Sequence, residues 1–145
     1  MPDKARRKKV LILCTGNSCR SIMAEAMVNH RLNGKWLAYS AGIAPSQVNP
    51  RAIRVMAEIG IDISASRSKS VFEFMNRDDL DLIITVCDNA RENCPAFPSK
   101  IEQIHIGFED PAPFTNLPDE IALPKFREVR DLIAKILLPE LERRL

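Results

Sequence analysis

Hydrophobic residues along the chain fall into short blocks that alternate between two spacings. Val10, Leu11, Ile12 and Leu13 form one continuous apolar run, and residues 82–86 (LIITV) form a second that is β-branched. Runs of this length with polar flanks read as strands buried on both faces. Residues 36–41, closed by Gly42, and residues 101–106 supply two further strands. Helical spacing fills the gaps. From Arg20 or Ser21 to about Asn33, Ile22, Met23, Ala26, Met27 and Val28 mark one helix, with Asn33-Gly34 as its stop signal. Asn49-Pro50 opens a second, with Ile53, Met56, Ala57 and Ile59 predicted to face inward and Gly60 to end it. A mixed segment follows through Leu80, helical around residues 71–75. The tail from about Pro124 carries a stripe of Phe126, Val129, Leu132, Ile133, Ile136 and Leu137, which Pro139 is expected to end or kink.

Strands alternating with helices predict an α/β fold: an open, parallel, four-stranded sheet with helices on both faces, joined by right-handed crossovers. At 145 residues the chain is expected to form a single domain spanning residues 1–145. Ligands of such sheets bind at the carboxyl ends of the strands, beside a switch in strand order. Cys14 ends the first strand and Cys87 follows the LIITV run, so the two thiols are expected to face one crevice.

The stretch that carries chemistry is VLILCTGNSCRS, residues 10–21. Its apolar run stops at Cys14, Thr15, Gly16, Asn17 and Ser18 make a small polar turn, and Cys19, Arg20 and Ser21 lead into the helix. A strand, a tight turn and a helix N-terminus make an anion site, because the N–H groups of the turn converge and the helix dipole adds positive charge. A thiolate at Cys14 is stabilised there as a nucleophile. Arg20 adds a planar fork suited to a tetrahedral oxyanion. Asn17 is expected to take a left-handed backbone conformation that shapes the turn.

Composition narrows the class. Apolar residues make up 46% and charged residues 28%, with a net charge of +2, as in an ordinary globule. No apolar run approaches the roughly 20 residues that span a bilayer, so no membrane partner is expected. The opening is basic (Lys4, Arg6, Arg7, Lys8, Lys9), and the apolar run behind it is too short for a signal peptide. A cytoplasmic monomer that binds no nucleic acid is expected, with the basic segment a solvated lead-in.

Four cysteines fall in two pairs, Cys14 with Cys19 and Cys87 with Cys94, and a cytosolic setting favours catalytic or redox thiols over structural disulfides. A four-thiolate zinc site competes with that reading, but the second gap is wide and only two histidines could assist, so no metal is expected. Cys87 and Cys94 lie seven residues apart. In a helix they would be about 10 Å apart along the axis, beyond the 7 Å or so that a disulfide allows between Cα atoms. They form either a switch that closes only when the segment unwinds, or two inert thiols at a helix edge. Asp110-Pro111-Ala112, after the last strand, reads by itself as an ordinary turn.

Cysteine, five residues, then Arg-Ser in an N-terminal strand, loop and helix resembles the protein tyrosine phosphatases of low molecular weight. From about Lys9 to the C-terminal helix, the chain resembles the thioredoxin-coupled arsenate reductases that share their fold. The residues that carry this are VLILCTGNSCRSIMAE, SAG at 40–42, DIS at 62–64, TVCDNARENCP at 85–95 and GFEDPA at 107–112. The resemblance implies that Cys14 attacks arsenate held by the loop and Arg20, while Asp110 protonates the departing hydroxyl. Cys87 then attacks Cys14 and releases arsenite, and Cys94 attacks Cys87 and passes the disulfide outward to thioredoxin. Ser21 would steady the Cys14 thiolate, and Cys19 has no step. Phosphate or sulfate would compete for the loop, and no cofactor is implied. Asn17, Glu25 and Ser40 match positions that bind potassium in some relatives, but Lys69 stands where those have Asp, so its ammonium would replace the cation. A low-molecular-weight tyrosine phosphatase is the alternative. It would use only Cys14, Arg20 and Asp110, and Ala112 stands where its aromatic residue would flank a substrate ring.

Overall fold

The structure, a computed structural model, describes residues 7–145; the basic residues Lys4 and Arg6 lie outside them. Four parallel strands, β1 (Lys8–Cys14), β2 (Trp36–Gly42), β3 (Leu82–Thr85) and β4 (Glu102–His105), lie in the order β2-β1-β3-β4. Leu13 pairs with Ala41 on one side and with Thr85 on the other. Successive residues of a strand point to opposite faces, and Val10 to Leu13 are all fully buried, as are Ile83 and Ile84. Both faces of the sheet are therefore covered, which is why these strands are continuously apolar rather than alternating. β4 lies at the edge and is the most exposed of the four.

Helices α1 (Arg20–Arg31), α2 (Pro50–Ala57), α3 (Asp88–Asn93) and α4 (Asp119–Arg143) provide that cover, with short 3-10 turns at Val71–Phe74 and Ala112–Phe114. α1 packs on β2 and on α4, α2 packs on α4, and α3 packs beside β1 and β3. The strand order reverses direction between β1 and β3. Their carboxyl ends form the switch point, where Cys14 and Cys87 stand.

Expectations for the second and the last helix are corrected. The buried face of α2 is Ala52, Val55 and Met56, whereas Ala57 is exposed and Ile53 and Ile59 are only partly covered. The helix has eight residues, so its own pattern decides its orientation poorly, and α4 decides it instead: Arg130 of α4 donates to Val55 O at 2.9 Å. The last helix begins at Asp119, five residues before Pro124, and continues through Pro139 to Arg143. Asp119 and Glu120 in its first turn suit the positive end of the helix. A proline inside a helix costs about 3 kcal/mol, but beyond Pro139 the buried Leu141 and its carbonyl, which accepts from Trp36 Nε1 at 2.9 Å, hold the final turn. Leu132 and Ile136, placed on the inner stripe by their spacing, are 40% and 45% exposed.

Candidate active site at the ends of β1 and β3

The anion loop follows from where its carbonyls go. Cys14 O accepts from Ile43 N at 3.1 Å, Thr15 O from Ala44 N at 2.8 Å, Gly16 O from Ser46 N at 3.0 Å and Ser18 O from Asn49 N at 2.9 Å. Asn17 O accepts from Ser68 Oγ at 2.7 Å. In a planar trans peptide the next N–H points opposite to the carbonyl. Turning these five carbonyls outward therefore aims the N–H groups of residues 15–19 into the loop, a nest for an anion. Asn17 adopts φ 48°, the left-handed conformation expected for it. Gly42 is needed beside the loop, because a Cβ there would lie 2.5 Å from Thr15 O and 2.9 Å from Asn17 N.

A chain of polar side chains supports the nucleophile. Lys69 N donates to Asn17 Oδ1 at 2.8 Å, which fixes the amide so that Nδ2 donates to Ser21 Oγ at 2.8 Å and to Ser40 Oγ at 3.0 Å. Ser40 donates onward to Glu25 Oε1 at 2.7 Å. The Ser21 oxygen already accepts from Asn17, so its proton is directed to Cys14 Sγ, 2.8 Å away. Burial pushes the Glu25 carboxyl above its ordinary range, and Lys69, whose Nζ is 3.8 Å from Oε1, opposes that rise. The Lys69 ammonium thus stands beside Glu25 and donates to Arg67 O at 3.0 Å.

Arg20 is 8% exposed. Its Nη1 donates to Phe108 O at 3.1 Å and its Nη2 lies 3.6 Å from Asp110 Oδ2. Cys14, Thr15, Gly16, Ser18, Cys19, Arg20 and Asp110 all line one cavity of about 260 Å³, whose remaining wall is Ala44, Ser46 and Ala112. Cys19 is buried beside them, and that burial pushes its thiol up to about 12, as suits a structural residue.

The second thiol does not line this cavity but stands against Thr15 at its rim. Cys87 Sγ lies 3.3 Å from Thr15 Oγ1 and accepts from Ala90 N at 3.4 Å, so Cys87 caps the start of α3. Cys94 caps the other end in an extended conformation, half-buried, with its thiol 3.9 Å from Gln103 Oε1 and raised by burial. All four cysteines are free. Sequence reasoning missed Thr15 as the link between the two thiols, and it missed Asn89, which donates to Thr15 Oγ1 at 3.0 Å. Among the described residues no cluster of three or more His, Cys, Asp or Glu could hold a metal ion, so the four thiols do not converge as a zinc site.

A family model described as low molecular weight phosphotyrosine protein phosphatase matches residues 9–143. The chain belongs to that family. It is 46% identical to an arsenate reductase of Halalkalibacterium halodurans over 89% of this chain and 91% of that protein. Among solved structures it is similar to an arsenate reductase in the phosphate binding state, with 33% identity, a TM-score of 0.73, and coverage of 94% of this chain and 98% of that one. It is also similar to a low molecular weight protein tyrosine phosphatase of T. tengcongensis, with 31% identity, a TM-score of 0.66, and coverage of 91% and 99%. Proteins bearing both names thus share this fold.

Proposed function

We propose that this protein is an arsenate reductase that works by a relay of three thiols. The observation that carries the reading is the placement of Cys87 Sγ 3.3 Å from Thr15 Oγ1, at the lip of the loop that holds Cys14. A phosphatase has no use for a second thiol at that point.

The loop N–H groups and Arg20 bind arsenate. The Cys14 thiolate attacks arsenic, an arsenic–oxygen bond breaks, and Asp110 gives its proton so that the oxygen leaves as water. Cys87 then attacks Cys14 Sγ. A disulfide forms, the sulfur–arsenic bond breaks with its electron pair left on arsenic, and arsenite departs. Two thiols have been oxidised and arsenic has been reduced by two electrons. Cys94 next attacks Cys87, frees the Cys14 thiolate and leaves a Cys87–Cys94 disulfide at the surface for an external dithiol of the thioredoxin class. The proposed setting is the cytoplasm, where such dithiols are kept reduced; no helix of the described residues is long and apolar enough to cross a membrane.

The small side chains of Ala44, Ser46 and Ala112 around the cavity also favour a compact oxyanion over an aryl ester, which would stack on an aromatic wall. The deciding assay is arsenate-dependent NADPH oxidation with thioredoxin and thioredoxin reductase, beside glutathione with glutaredoxin. Turnover with the first pair supports the relay. Aryl phosphate hydrolysis with no arsenate turnover in either system would favour the phosphatase.

A further inference from the structure

Asp110 stands on a segment tied to the rest of the site at two places. Near its start, Phe108 O accepts from Arg20 Nη1. At its far side, Thr115 Oγ1 donates to Ala112 O at 2.6 Å and accepts from Asn49 Nδ2 at 2.8 Å. Asn49 is the hub. Its backbone N–H donates to Ser18 O in the anion loop at 2.9 Å, and its Oδ1 accepts from Arg51 N at 2.8 Å to cap α2. That cap fixes which end of the amide faces Thr115. Arg51 reinforces the junction through Thr115 O at 3.3 Å, Leu117 O at 2.9 Å and an ion pair with Asp119. Ala112 N in turn donates to Asp110 Oδ1 at 3.0 Å. A continuous path of hydrogen bonds thus runs from Ser18 through Asn49, Thr115 and Ala112 to the Asp110 carboxylate. The Asp110 side chain itself is 45% exposed, and its ion pair with Arg20 is a long 3.6 Å.

Resting on Asp110 as the acid of the proposed reaction, we infer that Asn49 and Thr115 are positioning residues that hold Asp110 at proton-transfer distance from the anion in the loop. The anion site and the acid belong to different segments, and this path makes them one unit. Neither Asn49 nor Thr115 lines the cavity; Asn49 steadies the anion loop through its backbone N–H, whereas the Thr115 hydroxyl reaches the acid through Ala112, so its loss moves Asp110 and leaves anion affinity alone. Proton transfer depends steeply on placement: a displacement of about 1 Å can cost on the order of a hundredfold in rate.

The test is a double-mutant cycle on kcat/KM for arsenate with Thr115→Val, Thr115→Ser, Asp110→Asn and the Thr115→Val/Asp110→Asn double variant, run in parallel on phenyl phosphate. Thr115→Val is expected to lose about ten- to a hundredfold. Thr115→Ser keeps the hydroxyl and should stay near the parent rate, and the double variant should be no slower than Asp110→Asn alone. Phosphate affinity measured by calorimetry should be the same in Thr115→Val as in the parent. Asn49→Asp keeps the cap oxygen and loses the amide donor, so it should repeat the Thr115→Val result if that variant folds poorly. Losses that multiply in the double variant, an equal loss in Thr115→Ser, or full rate in both Thr115→Val and Asn49→Asp beside a slow Asp110→Asn would each overturn the coupling. A full-rate Asp110→Asn would overturn the acid assignment and this coupling with it. A protein that hydrolyses phenyl phosphate but leaves arsenate untouched would refute the reductase reading alone, and the cycle is then scored on the phosphate.

Discussion

Closing a disulfide between Cys87 and Cys94 has to unwind α3, and the size of that effect follows from what holds the helix. The two thiols cap its ends, seven residues apart, which at 1.5 Å per residue is about 10 Å against the 7 Å or so that a disulfide allows. More than half a turn of helix must go. Little resists this. Six residues are far fewer than an isolated helix needs, so α3 depends on its surroundings, and those are thin: the methyl group of Ala90, its one buried residue, the Asn89 bond to Thr15, and the contacts of Asp88 with the Arg91 guanidinium and the His105 ring, each 3.4 Å long. One buried methyl contributes about 0.8 kcal/mol and each exposed polar tie about 0.5 kcal/mol, so α3 is held by about 2 to 3 kcal/mol. In the reduced protein its amides are therefore protected from exchange by about a hundredfold, and on oxidation that factor is expected to vanish. The amides of β3 open only with the whole fold and should be unchanged. Hydrogen exchange followed by mass spectrometry on the reduced and oxidised protein reads both segments at once. Equal protection of residues 88–94 in the two states would refute the reasoning.

Phosphate should inhibit arsenate turnover competitively, because the loop binds through N–H groups and Arg20 that suit either tetrahedral anion; initial rates at fixed arsenate and rising phosphate measure it, and indifference to a large excess would contradict the loop assignment. Arg127 and Arg130 hold the Glu58 carboxyl down at about 2. This link between α2 and α4 should therefore contribute its full stability above the ordinary Glu value of about 4.3 and lose it as pH falls toward 2. In melting curves from pH 7 to 2, Glu58→Gln should lower Tm at neutral pH and converge with the parent at the acid end. Trp36→Phe removes one of the two donors to Leu141 O and leaves Arg144 N, at 3.2 Å, as the other, so it should destabilise the protein by about 0.5 to 1.5 kcal/mol in urea titrations, with the end of α4 beyond Pro139 exchanging fastest. Lys69→Met removes the cation that opposes the burial-driven rise of the Glu25 carboxyl, so Glu25 should take up its proton at higher pH than in the parent, as read by carboxyl NMR titration.

The strands and the anion loop were legible in the sequence because each rests on local information. Val10 to Leu13 and residues 82–86 are apolar without alternation, which only burial on both faces explains, and Cys14 to Ser21 carry the turn and helix signals within one short stretch. The seven-residue spacing of Cys87 and Cys94 excluded a direct disulfide only on the condition that the segment between them is helical, and α3 does lie there. What was not legible depends on partners distant in sequence. Pro124 and Pro139 read as boundaries, yet the docking of Leu141 against Trp36, 105 residues away, keeps α4 continuous. The face of α2 is chosen by Arg130. Asn49 was readable as a helix cap, but its second bond, to Thr115, joins segments 66 residues apart. Thr15 looked like one more small turn residue until β3 brought Cys87 to it.

The central claim is that Cys87 resolves the attack by Cys14 before Cys94 acts. The most direct measurement is non-reducing peptide mapping of Cys94→Ser after exposure to arsenate without external reductant. The relay predicts a Cys14–Cys87 disulfide and one arsenite released per protein molecule, with the chain stalled there and no such bond in Cys87→Ser. Sustained thioredoxin-linked turnover by Cys94→Ser, with no trapped Cys14–Cys87 disulfide, would contradict it.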